Sequence, residues 1–314
     1  MSGADWMEPA VRGELRALLR AEALRPAPQG ARSLLAALRE RYGEAVLGAV
    51  FYGSCRRDRD APEGVLDLHL VLRSLRPTLS PAAAAACAVL PPNVGYLEVE
   101  GAEARVRGKV ALLSLAQLRR GCSRRAFHSY LWGRYAQPVT LLGFDDPEPL
   151  VDALLEALAT FAWRTLPLVD EERAAAAPEA EGEAALAYWR RALAQSYASE
   201  LRPEGAGRAA TLVALEEDHY LRTGTLLLSQ RGRVTRSRAR TRLAWWLRRG
   251  LGKGLSLARL VKAAWTFEGG VDYALYKLER HGAPRLEVSE RVRRWPLLFG
   301  WPLLWRLWRT RALR

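Results

Sequence analysis

The residues best suited to chemistry lie between positions 46 and 72. An apolar run ends in Gly53-Ser54, a basic loop follows, and a second apolar run carries Asp67. A Gly-Ser turn at the start of a helix can offer backbone N–H groups and a hydroxyl to a phosphate. A carboxylate on the neighbouring strand can hold Mg²⁺ against the same phosphate. The pattern predicts either a magnesium–phosphate site, with Asp67 as metal ligand, or an ordinary hairpin with a polar edge.

The elements that would position these residues follow from apolar spacing. Recurrence every three and four residues predicts helices, and short apolar runs between turn residues predict strands. In the first half of the chain the helices are expected at 8–24 and 31–43 and after Ser80-Pro81, and the strands at 46–52, 65–72, 94–99 and 104–114. Lys109 lies within the last of these strands. A lysine in an apolar strand binds an anion or lies on a half-exposed face, and both remain open.

The second half of the chain has mainly helical spacing. Helices are expected at 115–137, 147–166, 184–201 and 206–228, with a short strand or loop at 139–144 and a linker or loosely packed helix at 174–187. The pattern therefore indicates an α/β part followed by a mostly helical part.

Charge is distributed unevenly along the chain. The net charge is +14, yet residues 1–218 contain 26 basic and 29 acidic side chains. Residues 219–267 contain 12 basic and no acidic side chains, and residues 291–314 contain seven basic and no acidic ones. The C-terminal part is thus expected to attract an anionic surface, either nucleic acid or acidic lipid.

Bulky apolar residues alternate with this positive charge. The run at 231–242 is followed by Trp245-Trp246-Leu247, and the last 20 residues contain four tryptophans among leucines and arginines. Such a mixture is typical of an interfacial membrane anchor. A helix packed on its own domain or on a partner is the alternative for the tail.

Composition also bears on location. No run of 18 apolar residues occurs, so no helix is expected to span a bilayer. The first residues contain acids and no apolar core, so no signal peptide is expected. Three widely spaced cysteines, Cys55, Cys87 and Cys122, indicate a reducing cytoplasm rather than a disulfide framework.

A family resemblance spans residues 51 to 277. It rests on Phe51-Tyr52-Gly53-Ser54 with Asp67, on Leu90-Pro91-Pro92-Asn93-Val94-Gly95-Tyr96 before Lys109-Val110, on Tyr130-Leu131-Trp132-Gly133-Arg134-Tyr135-Ala136-Gln137-Pro138-Val139, on Tyr197-x-x-Glu200-x-Arg202, and on Lys262-Ala-Ala-Trp-Thr266 with Gly270, Tyr273 and Lys277. In these segments the chain resembles the mitochondrial-type CDP-diacylglycerol synthases, also called translocator assembly and maintenance proteins, and their bacterial relatives.

The resemblance implies a domain layout and an activity. It implies a nucleotidyltransferase domain at 1–146, a helical, winged-helix-like domain at 147–290 and an amphipathic membrane-binding tail at 291–314. The implied reaction converts CTP and phosphatidate into CDP-diacylglycerol and pyrophosphate with Mg²⁺. It would occur at an anionic membrane surface, peripherally on the cytoplasmic face of the inner membrane. No nucleic-acid partner is expected, and homo-oligomer formation remains open.

The resemblance also assigns roles to individual residues. Asp67 and Lys109 would be catalytic, with Asp67 as the metal ligand. Gly53, Ser54, Lys109 and Arg134 would bind the nucleotide. Because Lys253 and Lys262 lie in the acid-free segment, they are candidates to bind the lipid phosphate, and for each of these lysines and for Arg134 a surface charge or a structural ion pair is the alternative.

The chain departs from the family pattern at two places. His69 stands where many nucleotidyltransferases have a second carboxylate, and Glu98 on the next strand is a candidate to complete the metal site instead. Lys109 is followed by Val-Ala where the family has Tyr-Gly. Two other functions therefore stay open. The first is nucleotidyl transfer to RNA or to a small molecule, and the second is an inactive membrane-surface adaptor.

Overall fold

The structure is a computed structural model that describes residues 4–57, 64–76, 78–100, 105–169, 178–200, 207–266, 271 and 288–294. Its centre is a five-stranded mixed sheet in the order β3-β4-β2-β1-β5. The strands are β1 Val46–Tyr52, β2 Val65–Leu72, β3 Asn93–Glu100, β4 Arg105–Ser114 and β5 Thr140–Leu142. Strands β2 and β4 are parallel, and the other neighbouring pairs are antiparallel. The expected mixed α/β class is therefore confirmed.

Helices surround the sheet. They are α1 Pro9–Ala23, α2 Gln29–Tyr42, α3 Ser54–Arg57, α4 Pro81–Val89, α5 Leu115–Cys122, α6 Glu148–Thr165, α7 Pro178–Ala198, α8 Arg208–Leu215, α9 Glu217–Ser229, α10 Arg238–Thr266 and α11 Glu290–Arg294. Local sequence sets several of their ends. Ser80 accepts a hydrogen bond from the Ala83 N–H at the start of α4, and Ser114 and Gln117 form a capping box at the start of α5.

Each face of the sheet packs against its own apolar core. One core lies between the sheet and α2 and α4, and contains Phe51 and Leu68. The other contains Val50 and includes side chains from α1, α5, α6, α7, α9 and α10. Because this second core joins residues from both sides of position 146, the two expected domains share apolar contacts. The division at residue 146 and the winged-helix layout stay predictions.

The helix expected at 115–137 is wrong beyond Cys122. Helix α5 ends there, Ser123 has an extended backbone, and residues 129–137 form separate turns with mixed hydrogen bonds. The carbonyl groups of residues 124, 126 and 127 accept hydrogen bonds from the distant side chains of Arg164 and Arg248. Tertiary contacts thus replace the helical ladder that the local pattern favours.

Helix α10 is 29 residues long and includes most of the basic segment. None of the helices in the described ranges is both long and apolar enough to cross a membrane. The tryptophan-rich tail at 295–314 lies outside the described residues, as do Arg202, Gly270, Tyr273 and Lys277.

Candidate functional site

A row of four side chains crosses the sheet at one level. Tyr52 on β1 is the register partner of Asp67 on β2, Asp67 is the partner of Lys109 on β4, and Lys109 is the partner of Tyr96 on β3. Register partners point to the same face of a sheet, with strands about 4.8 Å apart. The sheet therefore places the carboxylate of Asp67 and the ammonium of Lys109 side by side.

Gly53 lies directly against Asp67. Its φ is +94°, a conformation that favours glycine, and a Cβ at this position would lie 2.7 Å from Oδ2 of Asp67. Only glycine lets the turn pass so close to the carboxylate. Ser54 follows with an exposed side chain and begins α3, which is a single turn of four residues. The structure thus brings Gly53, Ser54, Asp67 and Lys109 together.

Lys109 is half-buried at this site. Among the described residues its ammonium makes no hydrogen bond and no ion pair. A partly desolvated cation beside the single carboxylate of Asp67 is suited to a ligand phosphate.

The position two residues after Asp67 holds a neutral histidine. His69 is fully buried, and its Nδ1 lies 2.5 Å from the hydroxyl of Tyr135. Burial, with Arg134 and Lys109 nearby, lowers the pKa of His69 well below its usual value. His69 is therefore uncharged at neutral pH and does not take the place of the second carboxylate.

Glu98 is engaged elsewhere on the same face. It accepts a hydrogen bond from the Tyr96 hydroxyl at 2.6 Å and pairs with Arg107 at 3.3 Å. Glu98 lies on β3, two strands away from Asp67 on β2, and two residues along β3 from Tyr96 of the row. Within the described ranges, no group of three or more His, Cys, Asp or Glu side chains could hold a metal ion.

A single carboxylate nevertheless fits one kind of metal site. Mg²⁺ often binds through one or two carboxylates, with water and ligand phosphates completing its six positions. Asp67, beside the open Gly53 turn, fits a Mg²⁺ ion that arrives with a phosphate ligand. It does not fit a metal held by protein groups alone.

Arg134 lies next to Tyr52, the β1 member of the row. Its guanidinium pairs with Glu200 at 3.5 Å and lies 4.5 Å from the Tyr130 ring centroid and 5.6 Å from that of Tyr52. Burial opposes the charge, but Glu200 and the other acidic groups nearby, Asp67 among them, outweigh burial and raise the pKa of Arg134. Arg134 therefore remains a cation next to the nucleotide-binding candidates.

Helix α10 closes one side of this region. Lys262 donates to the carbonyl oxygens of Leu90 and Pro92, at 2.7 and 2.5 Å, and Arg259 donates to that of Pro91 at 2.9 Å. The peptide bond between the two prolines is cis. Lys262 thus holds the 90–92 loop in this structure, whereas Lys253, the other lipid-phosphate candidate, is exposed on α10.

Sequence reasoning missed two residues of this region. The Arg259 guanidinium lies 4.5 Å from the Tyr130 ring centroid, and burial with the nearby Arg259 lowers the pKa of His128 to about 4. Neither residue stands out locally, because Arg259 is one of many arginines and His128 belongs to no motif. Their proximity to Tyr130 is visible only in the fold.

The described parts of the segments that carry the family resemblance thus lie around the row of Tyr52, Asp67, Lys109 and Tyr96, although they are spread over the chain. The Gly53 turn, Asp67, the 90–92 loop, Lys109, the Tyr130–Arg134 segment, Glu200 and Lys262 form one connected set of contacts. No protein-family model matches the chain, and no curated protein is significantly similar to it.

Proposed function

We propose that the protein is a phosphatidate cytidylyltransferase, which makes CDP-diacylglycerol and pyrophosphate from CTP and phosphatidate. The observation that carries the proposal is the adjacency of Gly53, Asp67 and Lys109 at one level of the sheet, where the ammonium of Lys109 makes no ion pair with any described residue. A close-approach turn, a metal-binding carboxylate and a cation are the groups that a nucleoside triphosphate requires. Arg134 supplies a second positive charge behind them.

The reaction needs positioning and charge neutralisation more than acid–base chemistry. A phosphate oxygen of phosphatidate forms a bond to the α-phosphorus of CTP, and the bond from that phosphorus to the bridging oxygen of the β-phosphate breaks. The electron pair leaves with pyrophosphate. Because the attacking phosphate is already ionised at neutral pH, no strong general base is required.

The chain's own residues supply the positioning. The Gly53 turn gives the phosphates access, Lys109 holds them as a point charge, and Arg134 offsets the charge that develops on them. Asp67 would hold Mg²⁺, which supplies charge neutralisation when it is bound.

The lipid substrate requires a membrane surface, and an exposed apolar stripe on α10 supports this part of the proposal. On a helical projection the stripe falls within an arc of about 140°. Its members are 47 to 67% exposed and are Leu243, Trp246, Leu247, Leu251, Leu257 and Val261. Lys253 borders the arc, about 20° from Trp246 on the same projection. An apolar stripe bordered by basic residues is typical of a helix lying in an anionic interface.

A nucleotide-binding adaptor without transferase activity is the second candidate. His69 favours it, because a neutral, buried histidine replaces the acid that a two-carboxylate metal site would use. The two candidates differ in turnover and not in nucleotide binding.

The test is an assay of CTP, Mg²⁺ and phosphatidate vesicles that follows CDP-diacylglycerol formation. Asp67→Asn is expected to lower the rate at least about 100-fold, because the metal-binding charge is lost. Asp145→Asn is the matched control, since Asp145 is exposed and follows β5, which runs antiparallel to β1 and ends toward the start of β1, away from Tyr52. Parallel reactions with RNA as the acceptor test the alternative nucleotidyltransferase. Full activity of Asp67→Asn would refute the site, and no product from the unaltered protein despite CTP binding would favour the adaptor.

A further inference from the structure

Two buried arginines lie in the second apolar core without an acidic partner. Arg164 on α6 is 5% exposed and Arg248 on α10 is 1% exposed. In the described part of the chain, neither forms an ion pair with a carboxylate. Arginine is rarely buried to this degree unless it is paired, because an uncompensated charge in a core is costly.

Backbone carbonyls satisfy only part of their donors. Arg164 Nη2 donates to the carbonyl oxygens of Arg124 and Ala126, at 2.8 and 3.1 Å, and Arg248 Nε donates to that of Phe127 at 2.5 Å. Arg164 Nε and Arg248 Nη2 are both buried, and neither has a hydrogen-bond partner among the residues that the structure describes. These two donor groups on two cations are therefore left for an acceptor that the described part of the chain does not supply.

Aromatic rings link these arginines to two more. Both guanidinium groups lie over Trp132, at 5.4 and 5.7 Å from its ring centroid. Trp163 has Arg164, Arg124 and Arg236 at 5.6, 5.4 and 4.9 Å. Because Arg124 and Arg236 are only half-buried, the cluster extends from the core to the surface.

The charges in this cluster repel one another. Burial, with the neighbouring arginines, lowers the pKa of Arg248 to about 9 and that of Arg164 to about 10. The aromatic rings attract cations weakly, and they provide no hydrogen-bond acceptor for the remaining N–H groups. A bound anion would both neutralise the repulsion and accept those hydrogen bonds.

We propose that these four residues, named here the arginine cluster, form a second anion site that binds a phosphate group: Arg124, Arg164, Arg236 and Arg248. A phosphate offers several oxygens that can meet guanidinium groups from different directions, and arginine binds it with paired N–H groups. The arginine cluster shares no residue with the Gly53–Asp67–Lys109 row, and the proposal does not depend on the transferase activity.

The phosphate has two chemical sources. It belongs either to a soluble phosphate compound or to the headgroup of an anionic lipid. Arg248 and the exposed α10 stripe belong to the same helix, but on the helical projection Arg248 lies about 60° beyond the edge of the stripe, so phosphate binding and vesicle binding are measured separately.

The first experiment measures thermal unfolding of the full chain in sodium phosphate and in sodium chloride at equal ionic strength. At a phosphate concentration about ten times the dissociation constant, the melting temperature is expected to rise by about 2 °C. Arg248→Met is expected to remove this rise, and to melt no lower than the unaltered protein in chloride because a buried unpaired charge is gone. Arg125→Met is the matched control, because Arg125 is exposed and directly follows Arg124 of the arginine cluster. This variant is expected to keep the rise.

If Arg248→Met does not fold, Arg236→Met takes its place, since its half-buried side chain lies at the outer end of the cluster. Flotation with vesicles of neutral lipid containing phosphatidylglycerol then identifies the source. Weaker vesicle binding by the cluster variant, together with competition by free phosphate, indicates a lipid headgroup. Unchanged vesicle binding with loss of the phosphate-dependent rise indicates a soluble phosphate compound. The proposal is overturned if the cluster variant and Arg125→Met respond alike to both phosphate and vesicles.

Discussion

The close approach of Gly53 to Asp67 leads to a sharp prediction for Gly53→Ala. The new Cβ would lie 2.7 Å from Oδ2, 3.3 Å from Cβ and 3.4 Å from Cγ of Asp67, so rotation of the carboxylate alone does not relieve the contact. Asp67 must move by several tenths of an ångström. A displacement of about 1 Å in a reacting site costs about 100-fold in rate, so for a shift of several tenths of an ångström we expect CDP-diacylglycerol formation to be about tenfold slower.

Gly43→Ala separates this effect from simple backbone strain. Gly43 also has a positive φ, +56°, but nothing lies within 4 Å of a Cβ added there. Both substitutions are expected to lower the free energy of unfolding by about 1 to 2 kcal/mol, because an ordinary residue is strained at positive φ. Chemical denaturation measures this loss, and the turnover assay measures the rate. Equal rates for Gly53→Ala and Gly43→Ala would refute the reasoning about Asp67.

Two further predictions concern acid stability and the membrane surface. Because the folded-state pKa of His128 is about 4 and the usual value is about 6.5, the unfolded chain takes up this proton first as the pH falls. Between pH 7.5 and 4.5 the free energy of unfolding of the unaltered protein should therefore drop by about 2.5 kcal/mol more than that of His128→Asn. Chemical denaturation at the two pH values measures both drops, and equal drops would contradict the burial argument. Trp246→Glu puts a charge into the exposed α10 stripe and should lower flotation with anionic vesicles at least about tenfold, with CTP binding unchanged. Unchanged flotation would show that the stripe does not face lipid.

Short apolar runs between turn residues were sufficient to predict most of the sheet. Strands β1 and β2 begin and end where expected. Strand β3 is one residue longer than expected at each end, and β4 begins one residue later than expected. Most residues of β1, β2 and β4 are apolar, and turn residues bound these strands, so the local sequence is enough to indicate them. The sheet register then brings Asp67 and Lys109 together, which strand spacing alone does not specify.

The segment at 123–137 shows where local pattern fails. Its aromatic spacing favours a helix, but its carbonyls bond to Arg164 and Arg248, which are distant in the sequence. The arginine cluster was missed for the same reason. A single arginine in an Arg-rich chain has the pattern of a surface residue, and only the packing of α6 against α10 shows that it is buried.

The central claim is that the row beside Gly53 binds the phosphates of CTP, and calorimetric titration with CTP and Mg²⁺ tests it most directly. Removing the half-buried ammonium in Lys109→Met takes away a charge-assisted contact, and we expect at least about tenfold weaker binding. Because Lys109 has no ion pair among the described residues, the variant should unfold at the same denaturant concentration as the unaltered protein. Equal CTP affinity of the two proteins, or no CTP binding by the unaltered one, would contradict the account.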